Sequence, residues 1–288
     1  MGKTIAGVLT LHDGQGEAVP AVFDSPHSGL AIPDDFGCRP GVRALYGSGV
    51  DNHVEALFAD VPRFGAPFLE ALFLRSYIDP NRSADEIDED MLDAPWPGAV
   101  DVTMRVRIGS GLILRIGPNG LDFYDRRLTV AQVAHRIETY WRPYNETLAE
   151  LMDAAHRRFG CVYHVNCHSN RTLGTVHSPD GAGTLRPEME IGTLDGTTSG
   201  PGFVNLVRGT LEDRGYQVVV DGFFKGAGLI RDYSDPPAGR HSLMLEIRKD
   251  LYMDEETLEP NAGFARVKAD MTHLTGVVCD YAREQAGG

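Results

Sequence analysis

Imidazole and carboxylate side chains stand at the ends of short apolar segments, where they could act together. His27 and His168 each end a strand-like segment, Asp51 opens an amphipathic one, and Glu246 lies within another strand-like segment. Because ligand sites in open α/β sheets form at strand ends, we expect these side chains to meet in one cleft. Imidazole and carboxylate groups suit metal-assisted hydrolysis, in which a carboxylate accepts a proton from water.

Each of these side chains also has a purely structural interpretation. His27 could bond to its local backbone, and Asp51 could cap a helix that begins near Val50. Glu246 could form a plain ion pair with Arg248, two residues further along the same strand. Residue type alone leaves both interpretations open for all three side chains.

The strand-like segment 161–168 carries polar groups on one face. Strand alternation places His164, Asn166 and His168 on the same side, opposite an apolar set. Burying such groups without partners is costly, so they must face a polar cavity, a metal or water. We predict that His164 is a hydrogen-bonded core histidine and that Asn166 orients the imidazole of His168.

The charge balance restricts the ligand. The 288 residues include 27 Lys and Arg against 41 Asp and Glu, for a net charge of −14. This acidity argues against nucleic acid and anionic membranes as partners, so an anionic small molecule must be held by a local cationic cluster. Asn81-Arg82 supplies a planar guanidinium that fits a carboxylate, and Lys225 and Arg231 add positive charge between glycines.

Several common catalytic and membrane signatures are absent from the sequence. It contains no Walker motif, no Gly-x-Ser-x-Gly elbow, no HExxH and no paired CxxC. Its longest apolar runs are strand-sized, which argues against a membrane span. The four cysteines are scattered, as expected of reduced thiols in a cytosolic protein.

Strand-like and helix-like patterns alternate along the chain, which predicts one α/β domain over residues 1–288. We expect a mixed, largely parallel sheet with helices on both faces, and a solvated acidic loop over 83–101. Residues 1–11 are interpreted as a first strand rather than a signal peptide. The patterns predict strands over 19–24, 72–78, 112–116, 161–168, 217–221 and 243–247. They predict helices over 50–61, 130–159 (kinked or divided at Pro143), 203–214 and 262–284.

A series of motifs occurs in an order shared with a known family. The motifs are Ser25-Pro26-His27-Ser28-Gly29, Asp51, Asp79-Pro80-Asn81-Arg82, Cys167-His168-Ser169 and the segment from Glu246 to Met253. In this order the chain resembles the N-formylglutamate amidohydrolases, from about residue 20 to about 253. That family is similar to the zinc carboxypeptidases and aspartoacylases, and the resemblance implies their phosphorylase/hydrolase-like fold.

The resemblance implies a zinc site in which His27 and His168 are ligands. The relatives carry Glu three residues after the first His, where this chain has Leu30. Asp51, which matches an Asp shared by the amidohydrolases, is therefore predicted as the remaining ligand. Family members often have a carboxylate two residues before the second His, and Asn166 stands there in this chain.

The resemblance also implies the substrate and the catalytic base. Asn81 and Arg82 would hold one substrate carboxylate, and Glu246 would act as base on the zinc-bound water. By their charge, Lys225 or Arg231 could bind the other carboxylate or stabilise the developing oxyanion. The implied reaction converts N-formyl-L-glutamate to formate and L-glutamate. A carboxypeptidase-like or acylase-like hydrolase of another N-acyl amino acid, and a non-catalytic protein that binds a dicarboxylate or a metal, are the alternatives.

Overall fold

One eight-stranded sheet carries the side chains discussed above. A computed structural model describes residues 2–39, 49–117, 120–176, 178 and 180–287. In spatial order the strands run β1-β2-β4-β3-β5-β8-β6-β7. In chain order they are β1 Lys3–Ile5, β2 Leu9–His12, β3 Ala21–Ser25, β4 Phe68–Ala71, β5 Val162–Asn170, β6 Met189–Gly192, β7 Val218–Val220 and β8 Arg240–Arg248.

Helices cover both faces of this sheet. The longest, α4 and α7, lie on opposite faces, each packed against β3 and β5. Within the described residues the helices are α1 Val54–Leu57, α2 Met104–Arg107, α3 Val130–Arg136, α4 Arg142–Phe159, α5 Pro201–Asp213, α6 Gly228–Asp232 and α7 Phe264–Ala286, with a π-helical segment Ile137–Trp141 between α3 and α4.

The four central strands β4, β3, β5 and β8 are parallel to one another. Antiparallel pairs join β1 to β2, β2 to β4 and β8 to β6. The predicted mixed, largely parallel α/β sheet is therefore confirmed. Because β3, β5 and β8 run in the same direction, their carboxyl ends meet at one edge, and the residues that follow them can form a single site.

The two faces of β5 differ in polarity although all nine of its residues are buried. Tyr163, Val165 and Cys167 pack into an apolar core with α5 and α7. The opposite face presents His164, Asn166 and His168 toward the side of the sheet that α4 covers. The predicted alternation is thus correct, and the fold must provide partners for a polar face inside the molecule.

Two predicted strands are wrong. Residues 72–78 follow β4 and leave the sheet, with only an isolated bridge from Phe73 to Ala31. Residues 112–116 form isolated bridges to nearby loop residues and join no sheet strand. Both segments are apolar because they pack in the core beside α3 and α4, and short apolar runs do not distinguish a buried strand from a buried loop.

The predicted helix over 50–61 is also mostly wrong, since α1 covers only Val54–Leu57. His53 has a left-handed backbone (φ 66°), which an α-helix does not accommodate, so no helix begins before Val54. The helix predicted over 130–159 is interrupted by the π-helical segment Ile137–Trp141, and Pro143 lies directly after it, in the first turn of α4.

The acidic loop is less solvated than predicted. Glu86 and Asp88 are buried. Asp88 accepts a hydrogen bond from Nε of Arg115 at 2.6 Å, and Glu86 accepts one from Thr103 at 3.1 Å. These partners explain how part of a like-charged run can enter the interior.

Among the described residues, no helix is both long and apolar enough to cross a bilayer.

Arg136 in α3 supports the loops on the α4 side, and this contact yields a stability prediction. Its guanidinium is fully buried, lies 4.0 Å from the ring centre of Tyr77, and donates to Tyr124 and to the backbone oxygen of Phe36. We expect Arg136→Met to lower the free energy of unfolding by about 2–4 kcal/mol, because a cation–π contact and charged hydrogen bonds are lost together. Urea titrations of both proteins would measure this loss in the free energy of unfolding. The half-exposed Arg142→Met is the control, and an equal loss there would contradict the prediction.

Candidate active site

The turn after β3 positions His27 at the edge of the sheet. Gly29 packs so closely on the backbone of Leu72 that a Cβ would lie 2.3 Å from its carbonyl carbon, which requires glycine. The turn directs His27 inward, and its Nε2 donates to Oδ1 of Asp79 at 2.7 Å. A carboxylate only accepts hydrogen bonds, so the ring proton lies on Nε2. The buried Nδ1 therefore carries a lone pair, and it has no hydrogen-bond partner.

Asp51 and His168 complete a cluster around this free nitrogen. Oδ2 of Asp51 lies 2.8 Å from Nδ1 of His168 and 3.6 Å from Nδ1 of His27. One ligand atom from each of the three side chains lies within 4.8 Å of the others, and all three residues are buried. Asp51 does not cap α1, whose N-cap is His53, so the structural alternative for Asp51 is contradicted.

Further hydrogen bonds hold the outer nitrogens of both imidazoles. Asp79, which holds His27, also accepts from Nη2 of Arg75 at 2.6 Å. Nε2 of His168 lies 2.6 Å from Oδ1 of Asn166 and 3.1 Å from Nδ2 of Asn81. The inner nitrogens of both rings therefore face Asp51, while the outer ones are fixed by the fold.

Burial and charge set the protonation states of the cluster. Burial opposes ionisation of Asp51 and Asp79, yet hydrogen bonds and neighbouring positive charge hold the pKa of each carboxyl below its ordinary value. Burial and the nearby Arg75 lower the pKa of His27. For His168, burial acts in the same direction, but the hydrogen bond to Asp51 and the charges of the nearby carboxylates together outweigh it and raise the pKa. Two ionised carboxylates and a neutral His27 result at neutral pH.

Glu246 lies beside this cluster on β8, in register with His168 on β5. Its side chain is buried, and Oε2 has no hydrogen-bond partner. Burial raises the pKa of Glu246 to about 7. Arg248 bonds instead to Asp250 and to the backbone oxygen of Arg186, so the simple ion pair with Glu246 does not form. A carboxylate with such a pKa can exchange a proton near neutral pH.

A cavity of about 580 Å³ opens onto the cluster. Its lining residues combine His27, Asp51, His168 and Glu246 with several cationic side chains. The cationic lining residues are Arg75, Arg82, Arg105, Arg171, Arg186 and Lys249. A local excess of positive charge therefore exists within an acidic protein, as an anionic ligand requires.

The structure places the predicted carboxylate-binding residues differently. Asn81 and Arg82 both line the cavity, and burial lowers the pKa of Arg82 to about 10, so it stays charged at neutral pH. Lys225 and Arg231 are not among the lining residues. Lys225 extends to the exposed Asp195, and Arg231 pairs with Asp232, because both side chains point outward from the segment that follows β7.

Sequence reasoning missed Arg75, Arg105 and Arg186. Arg105 lies in α2, directly after the acidic loop, and donates to the backbone oxygen of Gly226 at 3.1 Å. Arg186 is buried, stacks 4.9 Å from the ring centre of Phe224, and pairs with Asp180, whose Oδ2 lies 2.8 Å from its Nε. The unusual length of the acidic loop was the available signal for Arg105, since long loops often line active sites. No local pattern marks Arg75 or Arg186.

The three-residue cluster has the properties of a candidate metal site. It offers two imidazole nitrogens and one carboxylate oxygen, a ligand set typical of catalytic zinc. The unpartnered Nδ1 of His27 supports this interpretation, because a buried polar atom in a folded protein ordinarily has a partner. Leu30, at the position where the relatives have a ligand, is exposed and outside the cluster.

The chain is similar to proteins of known function and structure. The family model for N-formylglutamate amidohydrolase matches residues 19–253. An N-formylglutamate deformylase of Pseudomonas putida is 29% identical over 252 residues, with 86% of each chain aligned. The crystal structure of N-formylglutamate amidohydrolase from Ralstonia eutropha JMP134 is 42% identical, with a TM-score of 0.92 over 96% of this chain and 99% of that one. A gene product of Agrobacterium tumefaciens shares the fold, at 16% identity and a TM-score of 0.64 over 96% of each chain.

The contact between Asp51 and His168 gives a titration prediction. A carboxylate stabilises the imidazolium form, so Asp51→Asn should lower the pKa of His168 in the metal-free protein, where burial then acts with less opposition. NMR titration of the His168 ring would measure the change. Asp195→Asn, at the exposed partner of Lys225, is the control. An unchanged or higher pKa of His168 in Asp51→Asn would show that the contact is absent in solution.

Proposed function

Because the chain belongs to the N-formylglutamate amidohydrolase family, we propose that it hydrolyses N-formyl-L-glutamate to formate and L-glutamate. The observation that carries this proposal is the position of Glu246, a buried carboxylate with a free oxygen, beside the three-residue cluster in a cationic cavity. A non-catalytic binding protein would have no need for a carboxylate in that state.

We further propose that His27, Asp51 and His168 hold a zinc ion. Their two nitrogens and one oxygen match the preferences of Zn²⁺, and the outer nitrogens are fixed by Asp79 and Asn166. Once bound there, zinc would polarise the formyl oxygen and lower the pKa of water.

Glu246 is the proposed general base. As a buried carboxylate beside the cluster, it would accept a proton from the attacking water and then donate that proton to the leaving amine nitrogen. The reaction breaks the C–N bond of the formamide and forms the C–O bond of formate. Since both proton transfers use one side chain, Glu246 returns to its ionised state after each turnover.

The cationic lining of the cavity is proposed to bind the two carboxylates of the substrate. Arg82, positioned by hydrogen bonds to the backbone oxygens of Ser110 and Asn81, holds one carboxylate. The Asn81 amide, although predicted to share this role, is already engaged by Leu229, His168 and Asn166. Arg105 and Arg186 take the role that the sequence suggested for Lys225 and Arg231, because they line the cavity.

Hydrolysis of a larger N-acyl group is the second candidate function. Met104 and Ile108 line the cavity and are exposed, and Leu114 and Ile116 add further apolar surface to its wall. A formyl group needs none of this surface, whereas a longer acyl chain would bury it. Comparing N-formyl- with N-acetyl- and N-butanoyl-glutamate as substrates distinguishes the two candidates.

Substitution of two carboxylates should separate metal binding from proton transfer. Asp51→Ala removes a proposed ligand, so both zinc content and activity should fall. Glu246→Gln keeps the shape of the side chain without its basicity, so zinc content should remain while kcat falls by about 10²–10⁴-fold. Metal analysis after dialysis and an amine-release assay provide the two measurements.

Three outcomes would contradict these assignments. Near-normal turnover in zinc-loaded Glu246→Gln would mean that another group activates water. Full zinc content in Asp51→Ala would remove Asp51 from the ligand set. Activity of the wild type that survives complete removal of metal by a chelator would refute the zinc proposal as a whole.

Arg82 provides a specificity prediction. Arg82→Lys keeps the charge but loses the planar pair of donors. The transition-state stabilisation for N-formyl-glutamate, measured from kcat/KM, should therefore fall by about 2–4 kcal/mol. N-formyl-glutamine and N-formyl-leucine should be poor substrates of the wild type because each lacks the side-chain carboxylate. Arg231→Lys, outside the cavity lining, is the matched control and should behave as wild type. Equal kcat/KM for N-formyl-glutamate and N-formyl-leucine would reject the dicarboxylate substrate.

A further inference from the structure

Asp24 on β3 is a buried carboxylate that the mechanism above does not use. It is fully inaccessible, and its two oxygens accept three hydrogen bonds. Oδ1 accepts from Nδ2 of Asn166 at 2.7 Å and from Nε2 of His164 at 2.8 Å, while Oδ2 accepts from the hydroxyl of Tyr144 at 2.7 Å. Through Asn166 it is one side chain away from the candidate ligand His168.

The amide of Asn166 can face its neighbours in two orientations, and Asp24 selects one of them. A carboxylate has no proton to donate, so the Nδ2 end of the amide must point toward Asp24. The Oδ1 end then points toward Nε2 of His168, at 2.6 Å. In the reverse orientation an oxygen would face the carboxylate and an N–H would face the imidazole.

Asn81 makes this selection necessary. Its Oδ1 accepts from the backbone N–H of Leu229 at 2.9 Å, so its Nδ2 faces Nε2 of His168 at 3.1 Å and makes a longer contact of 3.4 Å with Oδ1 of Asn166. This N–H favours an imidazole whose Nε2 is an acceptor and whose proton is on Nδ1, the nitrogen that faces Asp51. Asn166 favours the opposite state, in which Nε2 keeps its proton and Nδ1 is free to bind a cation.

We propose that Asp24 is a positioning residue that orients Asn166, so that His168 keeps the proton on Nε2 and offers Nδ1 to the metal. This inference rests on the proposed zinc site. It also accounts for Asn166 at a position where a carboxylate would hold the imidazole directly, because Asp24 supplies the negative charge one side chain further away.

The hydrogen bonds of Asp24 to His164 and Tyr144 give it a structural role as well, so the experiment must isolate the path through Asn166. Asp24→Asn offers a donor as well as an acceptor and no longer selects one orientation of the amide. Asn166→Leu leaves Asp24 and its other partners in place but interrupts the path. Each variant should bind Co²⁺ about 10–100-fold more weakly than wild type, as expected for a lost outer partner of a ligand.

Proton NMR of the Co²⁺-loaded protein gives a readout that stability alone would not change. Each ligating imidazole contributes an exchangeable, hyperfine-shifted N–H signal. In both variants the signal of His168 should shift and exchange faster with solvent. The signal of His27, which is held by Asp79, should stay as in wild type and serves as an internal control.

Two further variants complete the test. The double variant Asp24→Asn/Asn166→Asp returns a carboxylate to the path and should recover most of the Co²⁺ affinity. Tyr144→Phe removes a hydrogen bond to the other oxygen of Asp24, so it should lower stability without changing Co²⁺ affinity. If Asp24→Asn does not fold, Asn166→Leu decides the outcome.

Unchanged Co²⁺ affinity and an unchanged His168 signal in the folded variants would overturn the inference and leave the proposed function intact. Equal loss of affinity in Tyr144→Phe would overturn it as well, because the effect would then follow stability. Failure of the wild type to bind Co²⁺ or Zn²⁺ would overturn both this inference and the metal site on which it rests.

Discussion

The site depends on one constraint, which is that polar side chains inside the sheet must each find a partner. The polar face of β5 is completely buried. Moving an amide or imidazole from water to such a place without a hydrogen-bond partner costs about 2–7 kcal/mol. The fold meets this constraint with the carboxylates of Asp24, Asp51 and Asp79. Each of them lies within hydrogen-bond distance of a histidine ring nitrogen and thereby fixes the position of the ring.

Among the described residues, the buried side-chain atoms without a hydrogen-bond partner include Nδ1 of His27 and Oε2 of Glu246. In a network that satisfies most of its polar groups, such exceptions indicate where a ligand or a reactant belongs. Both belong to residues that line the cavity, beside the oxygen of Asp51 and a group of arginines. Stability and function therefore use one hydrogen-bond network, whose outer members support the fold and whose inner members are available for chemistry.

Electrostatics gives the carboxylates different roles. Asp51 and Asp79 lie against imidazole and guanidinium groups, which keep their pKa values low, whereas Glu246 has no such hydrogen bond and burial raises its pKa to about 7. Three acids of similar intrinsic strength thus become two permanent anions and one group that exchanges protons. Positive charge in the cavity comes from Arg82, Arg105 and their neighbours, although the chain as a whole carries a net charge of −14.

The sequence by itself determined the α/β class, the alternation along β5 and the candidates His27, Asp51, His168 and Glu246, because these follow from local periodicity and from motifs at strand ends. It did not determine which apolar segments join the sheet, since 72–78 and 112–116 are apolar for packing reasons and leave no pairing signal. Tertiary structure alone decided the cationic lining, because the direction of a long side chain depends on its neighbours. Both Lys225 and Arg186 pair with an acid, Asp195 and Asp180 respectively, but only Arg186 lies in the cavity lining, where it stacks on Phe224.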